Sequence, residues 1–596
     1  MKRFLLALAV LTAVPLVISS AAVADVKVTD QATYVRHDGG SDPVIVACGS
    51  DATTPTPGGD DGGELSQNEP AVAVRPAESS FVVASSNDGC IGLEFNVAWQ
   101  GIYVSTNGGV SWTDSLLPGY PGDTSTDGAA SPLMRSHESI SGDPVLDWDN
   151  DGHLFAGGIS YNQLETNPSG FVTPTNGHVY VARYTRSVAA PLGIDFDQTV
   201  IVGEGTPGQF PFAGRFHDKP SLKVDDWASS RFEGNVYFSW TLFPAFGIGQ
   251  DQILFSRSTD GGLTFSKPIK ISKGVASAQG SDIVVRPNGD LYVFWREFSQ
   301  SPPTVNDEIV FVTSTDGGKH FSDPRTLTRI APYESRDVYV SGGSARDCGD
   351  GPFLCVSRFV FSRNGTLPQA TADDDGNLYV TWEELTPAAD NGDTYGPDGQ
   401  SHVVVAKSTN GGSSWTKVAA DQLSVGHQYW PNIEYNKATD ELGIVYYDSR
   451  ADPFYSPFRP IGNQPNPPGG SGLSSCGVPA PSVCNVLNTF IATSSDGVSW
   501  TPTVVSTVGH QPQYELVAGR DLPFHGDYLW IDAKGTTFFG VWTDNRDVVP
   551  GPDPREAVQD GFDVLQCLTA NPDGTFSLDN CRNAGGHDQN IYGGTP

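Results

Sequence analysis

Carboxylates open most of the repeated units of this 596-residue chain, and arginines beside aromatic residues close three of them. The openers are Glu69, Asp143, Asp218, Asp282, Gln369, Asn432 and Asp527. Five of the seven are acidic, and carboxylates gathered at one place repel unless a cation or a shared proton neutralises them. Asp143 and Asp282 are candidate ligands for a hard cation such as Ca²⁺, which takes oxygen donors; no cofactor is required. The plainer alternative is that each opener caps its own strand. The closers are Trp295-Arg296-Glu297, Tyr447-Asp448-Ser449-Arg450 and Trp542-Thr543-Asp544-Asn545-Arg546. Guanidinium groups bind carboxylates bidentately. Arg296, Arg450 and Arg546 are therefore candidate substrate-carboxylate ligands, with Trp295 and Trp542 offering faces to a sugar ring. Salt bridges internal to each loop are the alternative. His217 beside Asp218, and His525 beside Asp527, have the types needed for acid/base work near neutral pH, although a histidine also serves as a hydrogen-bonding spacer. No Gly-rich phosphate loop, Gly-x-Ser-x-Gly elbow or His-Glu-x-x-His is present.

Two repeats must position these residues. One is a short strand, a turn with Asp or Gly, and a strand ending in aromatic residues. Ser281–Trp295 and Pro368–Trp382 are clear copies. Seven such units start 63 to 95 residues apart. The other is a turn: Ser105–Trp112, Ser258–Phe265, Ser314–Phe321, Ser408–Trp415 and the shorter Ser494–Trp500. Its hydroxyl and Asp/Asn side chain bond the local backbone, its glycines allow positive φ, and its terminal aromatic anchors packing. Units two and seven lack it; Tyr184–Ser187 and Asn571–Phe576 stand in its place. Each unit reads as four antiparallel strands. The chain is therefore expected to be an all-β, seven-bladed β-propeller, with six blades as the alternative.

Residues 1–24 read as an export signal: Lys2 and Arg3, an apolar run from Phe4 to Ile18, then Ala22-Val23-Ala24. Residues 25–66 form an extension and a Thr/Pro/Gly/Asp-rich linker, 67–585 the propeller and 586–596 a tail. The eight cysteines fall in neighbouring pairs: Cys48 and Cys90, Cys348 and Cys355, Cys476 and Cys484, Cys567 and Cys581. Pairing between neighbours, among 105 formal connectivities, suits a secreted protein. The whole chain carries 35 Lys+Arg against 69 Asp+Glu, a net charge of −34. That charge excludes nucleic acid and anionic membranes as natural partners. No later apolar run approaches the length of a membrane helix. A monomer is expected.

The turn motif resembles the Asp box, or bacterial neuraminidase repeat, and its placement on blades is similar to that of the sialidase superfamily, over roughly residues 65–580. The resemblance implies a propeller with the boxes on its periphery. It further implies a glycan-directed hydrolase, exo-sialidase-like and acting on acidic sugars, or a non-catalytic propeller that binds a glycan or glycoprotein. The Arg-Ile-Pro motif of true sialidases is absent. If a tyrosine nucleophile operates as in that superfamily, Tyr528 is the candidate, with Glu297 or Asp527 as its base.

Overall fold

The computed structural model describes the chain from Asp25 onward. It excludes 30–33, 51–65, 92–97, 334–362, 388–398, 463–485, 513–524, 551–567 and shorter stretches between 137 and 306, at 422–424 and between 548 and 588. The export signal and Cys348, Cys355, Cys476, Cys484, Cys567 and Cys581 lie outside the described residues.

Strands alternate their side chains between two faces, and here both faces are buried. On Leu291–Glu297, Leu291, Val293 and Trp295 join one apolar cluster while Tyr292 and Phe294 join the next. A sheet apolar on both faces must be sandwiched, and a closed ring of sheets sandwiches all of them. Seven apolar clusters result, one in each interface between adjacent blades. The innermost strands are Gln67–Val74, Ile140–Trp148, Ala213–Val224, Ala278–Val285, Gln369–Ala372, Gln428–Asn436 and Trp530–Lys534. Each heads an antiparallel four-stranded order, blade 3 carrying one extra strand, Thr206–Gln209, at its inner edge. Seven blades are present, not six.

Blade 7 is assembled from both ends of the chain. Its order is Trp530–Lys534, Thr537–Asp544, Asn590–Gly594, then Val26–Lys27. The segments expected to be an N-terminal extension and a C-terminal tail therefore each supply a strand, and the propeller extends beyond 67–585 at both ends. This also explains the missing seventh box. The third and fourth strands of blade 7 are not consecutive in the chain, so no turn joins them. Of the segment Asn571–Phe576 only Phe576 is described; it opens Phe576–Leu578, which pairs with Leu568–Ala570 outside the blade.

The box turns are self-contained. In the box at 258–265, Ser258 Oγ donates to Asp260 Oδ1 at 2.6 Å and accepts from Gly262 N at 2.9 Å. The other four repeat this pattern. The last glycine of each box has positive φ and lies against an aromatic ring of the preceding blade. A Cβ on Gly262 would come within 2.4 Å of Phe155, and one on Gly318 within 2.6 Å of Phe255. The boxes thus key neighbouring blades together at the rim. Among the described residues one disulfide, Cys48–Cys90, joins the helix Pro43–Ser50 to the turn after Val82–Asp88.

Candidate functional site

A repeated bulge builds the mouth of the central channel. In five inner strands the ladder shifts register between Asn68 and Ala71, Gly142 and Val145, Asp218 and Ser221, Gln279 and Asp282, and Tyr429 and Asn432. One residue in each bulge takes positive φ: Glu69 (56°), Asp143 (52°), Lys219 (49°), Gly280 (67°) and Trp430 (54°). A bulge re-aims a side chain, and here it gathers titratable groups. Gly526 has φ 96°, and a Cβ there would meet the Glu69 backbone nitrogen at 2.9 Å. Blade 7 can therefore approach blade 1 closely, which sets Asp527 beside Glu69.

The resulting cluster contains Glu69, Asp143, Asp218, Lys219, Asp527 and Tyr528, with Arg363 from the segment before blade 5. Asn87 Nδ2 donates to Glu69 Oε2 at 2.7 Å, and Asn87 Oδ1 accepts from Asp143 N at 2.8 Å. Lys219 Nζ lies 2.5 Å from Asp527 Oδ2 and 3.8 Å from Glu69 Oε1. Arg363 Nη2 meets the same Asp527 oxygen at 2.6 Å. Burial pushes Glu69 up to about 8, with Asp143 and Asp527 adding to the rise and Lys219 opposing it. Burial raises Asp143 to about 6. Burial acts to lower the Lys219 ammonium, but Asp527, Glu69 and Asp143 outweigh it and hold the charge. At neutral pH the mouth thus holds a protonated Glu69, which is hydrogen-bonded to Asp143, next to an Asp527 flanked by two cations.

Tyr528 is a poor nucleophile in this setting. Burial, then the charges of Asp143, Glu69, Asp527 and Asp218, push its phenol well above its ordinary value. The phenol stays protonated and can only donate or accept hydrogen bonds. Of its two candidate bases, Asp527 is in the same cluster, whereas Glu297 stands in blade 4 opposite Ala278 and Glu308 and Tyr528 belongs to blade 7. The structure does not bring Glu297 and Tyr528 together.

The arginines do not form a cluster either. Arg296 is 2% exposed, holds Asp307 Oδ2 through Nε at 2.8 Å and lies 4.2 Å from the Phe298 ring centroid. Arg450 pairs with Asp448 and Asp421 and stacks on Phe490. Arg546 pairs with Asp544 and Asp25 and stacks on Tyr592. Each guanidinium is already engaged by a carboxylate of its own blade, Arg296 by Asp307, Arg450 by Asp448 and Arg546 by Asp544, and Arg450 and Arg546 each take a second one, Asp421 and Asp25. Trp295 and Trp542 are fully buried and present no face to a sugar. His217 Nδ1 accepts from Trp240 Nε1 at 2.6 Å, and burial drops its pKa to about 4. His525 packs among Tyr429, Tyr447 and His510, and burial takes it down to about 3. Both histidines are neutral core groups.

Asp282 accepts from Ser221 Oγ and Ala370 N, so it ties blades 3, 4 and 5 together. It shares no hydrogen-bond partner with Asp143. Among the described residues no group of three or more His, Cys, Asp or Glu side chains is placed to hold a metal ion. Deeper in the channel Asp147 accepts from Val224 N and Asp532 from Val74 N, with Lys223 Nζ 3.7 Å from Asp147 and 3.5 Å from Glu434. These groups stitch neighbouring blades.

Lys219, Arg363, Asn87 and Trp430 escaped the sequence reading. One signal would have found two of them. The positive-φ residue precedes proline in Glu69-Pro70, Asp143-Pro144, Lys219-Pro220 and Trp430-Pro431. Arg363 carries no such mark.

No protein-family model matches the chain, and no curated protein matches it. Among solved structures it is similar to a protein of unknown function from Dyadobacter fermentans, at 14% identity over 67% of this chain and 93% of that one, with a TM-score of 0.38. It is also similar to the α-L-arabinofuranosidase Arb93A from Fusarium graminearum, in complex with an iminosugar inhibitor, at 12% identity over 64% and 88%, TM-score 0.37. A third is Trypanosoma rangeli sialidase in complex with the inhibitor DANA, at 12% identity over 65% and 53%, TM-score 0.35. At such identities these likenesses assign no activity.

Proposed function

We propose that the protein is a glycan-directed glycoside hydrolase whose reaction centre is the carboxylate cluster at the channel mouth. One observation carries this reading. Glu69 is held as an acid at neutral pH, hydrogen-bonded to Asp143, while Asp527 beside it is held as an anion by Lys219 and Arg363. Glycoside hydrolysis needs such a pair, one carboxyl to protonate the leaving oxygen and one carboxylate to act as nucleophile or base. Glu69 takes the first role and Asp527 or Asp143 the second. Tyr528 is a hydrogen-bonding group rather than the nucleophile. The substrate is a neutral sugar: the four carboxyl groups at the mouth, Glu69, Asp143, Asp218 and Asp527, outnumber its two cations, Lys219 and Arg363, and the arginines that would have gripped an acidic sugar are engaged elsewhere. Action outside the cell fits the Cys48–Cys90 disulfide.

A panel of fluorogenic neutral glycosides and sialosides tests the reading. Wild type should turn over at least one neutral glycoside. Removing a general acid costs about 10²–10⁴-fold in rate. Glu69→Gln should therefore lose activity by that order on substrates with poor leaving groups, and less on dinitrophenyl glycosides. Turnover of no glycoside by wild type sinks the proposal. The second reading, a non-catalytic glycan-binding propeller, is favoured by the deep burial of Glu69 and Asp527, each 3% exposed.

A further inference from the structure

The mouth contains a small cavity of about 40 Å³, lined by Trp430, Tyr528, Trp530, Lys219, Ser221 and Asp282 among others. Two features of its wall bear on what it can bind. Trp430 takes φ 54°, a left-handed conformation that costs a bulky residue about 1–2 kcal/mol. The equivalent bulge positions hold Glu69, Asp143, Lys219 and Gly280, which are polar or unhindered. Strain of this kind persists where the surrounding structure requires it, often at a binding site. Also, Trp430 is 6% exposed and its Nε1 has no hydrogen-bond partner; nor has the buried Tyr528 hydroxyl. A buried donor left unpaired costs about 1–3 kcal/mol. Two such donors line one cavity.

We infer that this cavity is a specificity subsite that takes the exocyclic hydroxymethyl group of a neutral hexopyranoside. The inference rests on the glycan-directed reading of the mouth and names its substrate class. The cavity has room for at least two water-sized groups, each needing about 10–15 Å³ of such space, which suits the two heavy atoms of a hydroxymethyl group. The carbon of the hydroxymethyl group packs against the aromatic wall formed by Trp430 and Trp530. Its oxygen accepts from Trp430 Nε1–H and from the Tyr528 hydroxyl. A carboxylate in this position is repelled by Asp282, which lines the same cavity. Lys219 does not offset Asp282, because its ammonium is committed to Asp527 at 2.5 Å.

Calorimetric titration of the whole protein with matched methyl glycosides tests this. Methyl β-D-galactopyranoside and methyl α-L-arabinopyranoside share one ring configuration and differ only by the hydroxymethyl group. Methyl β-D-glucopyranoside and methyl β-D-xylopyranoside form a second such pair. The hexoside of at least one pair should bind about 10-fold tighter than its pentoside, the worth of roughly 1.4 kcal/mol. Trp430→Phe and Tyr528→Phe should each shrink that ratio to about 3-fold or less, by the loss of one hydrogen bond. The ratio is insensitive to partial unfolding, which weakens both ligands alike. Equal binding within both pairs, a preference that survives both variants, or binding of none of the four overturns the subsite. Hexoside preference without turnover of any aryl glycoside upholds the subsite and sinks the hydrolase. Turnover without hexoside preference does the reverse.

Discussion

The rim and the channel mouth use the same residue types, aspartate, serine and glycine, to opposite electrostatic effect. At the rim, Asp496 accepts from Ser499 N and Val498 N and is drawn down to about 2, an anion under all ordinary conditions. At the mouth, burial lifts Glu69 to about 8 and Asp143 to about 6. The rim carboxylates face water and collect backbone donors, which favour the charged form. The mouth carboxylates face one another in a site closed to water, so protons and two cations must balance them. A turn that satisfies all its polar atoms is a fastener. A cluster that holds neighbouring carboxyls in different protonation states is where chemistry is possible.

That contrast is broken most forcefully by removing the anion that two cations share. Asp527→Asn leaves Lys219 and Arg363 buried without their common carboxylate, and breaking a buried pair costs about 3–5 kcal/mol. Urea unfolding should show that loss, and adding Lys219→Met should recover part of it. If Asp527→Asn unfolds within error of wild type, the mouth is more hydrated than its burial indicates.

At the rim the largest effect is steric. Gly262→Ala puts a Cβ 2.4 Å from Phe155, whereas Gly261→Ala meets nothing within 4 Å. Both have positive φ, 79° and 67°, so both bear about 1–2 kcal/mol of backbone strain. Only Gly262→Ala adds about 1–3 kcal/mol of overpacking. Equal unfolding midpoints for the two variants would show that the boxes do not key the blades together.

The two regions also respond to pH in opposite senses. Glu69 has an ordinary value of 4.5 and a folded value near 8. The folded state therefore keeps a proton that the unfolded chain releases above 4.5. This contribution to stability is fully present below that value and is lost as pH rises to about 8, with a slope of at most about 1.4 kcal/mol per pH unit for one proton. Asp143 acts in the same direction up to about 6. Rim carboxylates such as Asp496 stabilise above the ordinary carboxylate range and fade as pH falls toward 2. Thermal unfolding by circular dichroism should give a higher Tm at pH 5 than at pH 8, and Glu69→Gln should flatten that difference.

The smallest effect belongs to a single box carboxylate. Asp496→Asn should change stability by about 0.5 kcal/mol or less, because Asn107 and Asn410 already make the same contact with the box serine in two other blades. A loss several-fold larger would mean that the rim charge itself matters.

The sequence showed the blades because they are built from local physics. Alternating apolar residues, Asp- or Gly-containing turns and a terminal aromatic each act within about ten residues, so seven units could be read, while whether they close as seven blades or six was left to the ring closure. It also located Glu69, Asp143, Asp218 and Asp527, since a strand's opening residue is fixed by its own register. It misjudged Arg296, Arg450 and Arg546 because a guanidinium beside an aromatic looks the same whether it awaits a ligand or is already paired. Arg546 is held by Asp25, 521 positions away in the chain. Trp295 and Trp542 were misjudged for a related reason: an aromatic that ends a strand looks like a platform until the next blade covers it.

By itself, then, the sequence determined the repeated blade units, with seven or six of them as the alternatives, and a key residue near the start of each inner strand, through short-range periodicity and turn chemistry. Ring closure decided the rest. It drew Val26–Lys27 and Asn590–Gly594 into one sheet, and it brought Glu69 of blade 1, Lys219 of blade 3 and Asp527 of blade 7 within a few ångströms of one another. The protonation of that cluster depends on burial and on charges hundreds of residues apart, and only the closed ring supplies either.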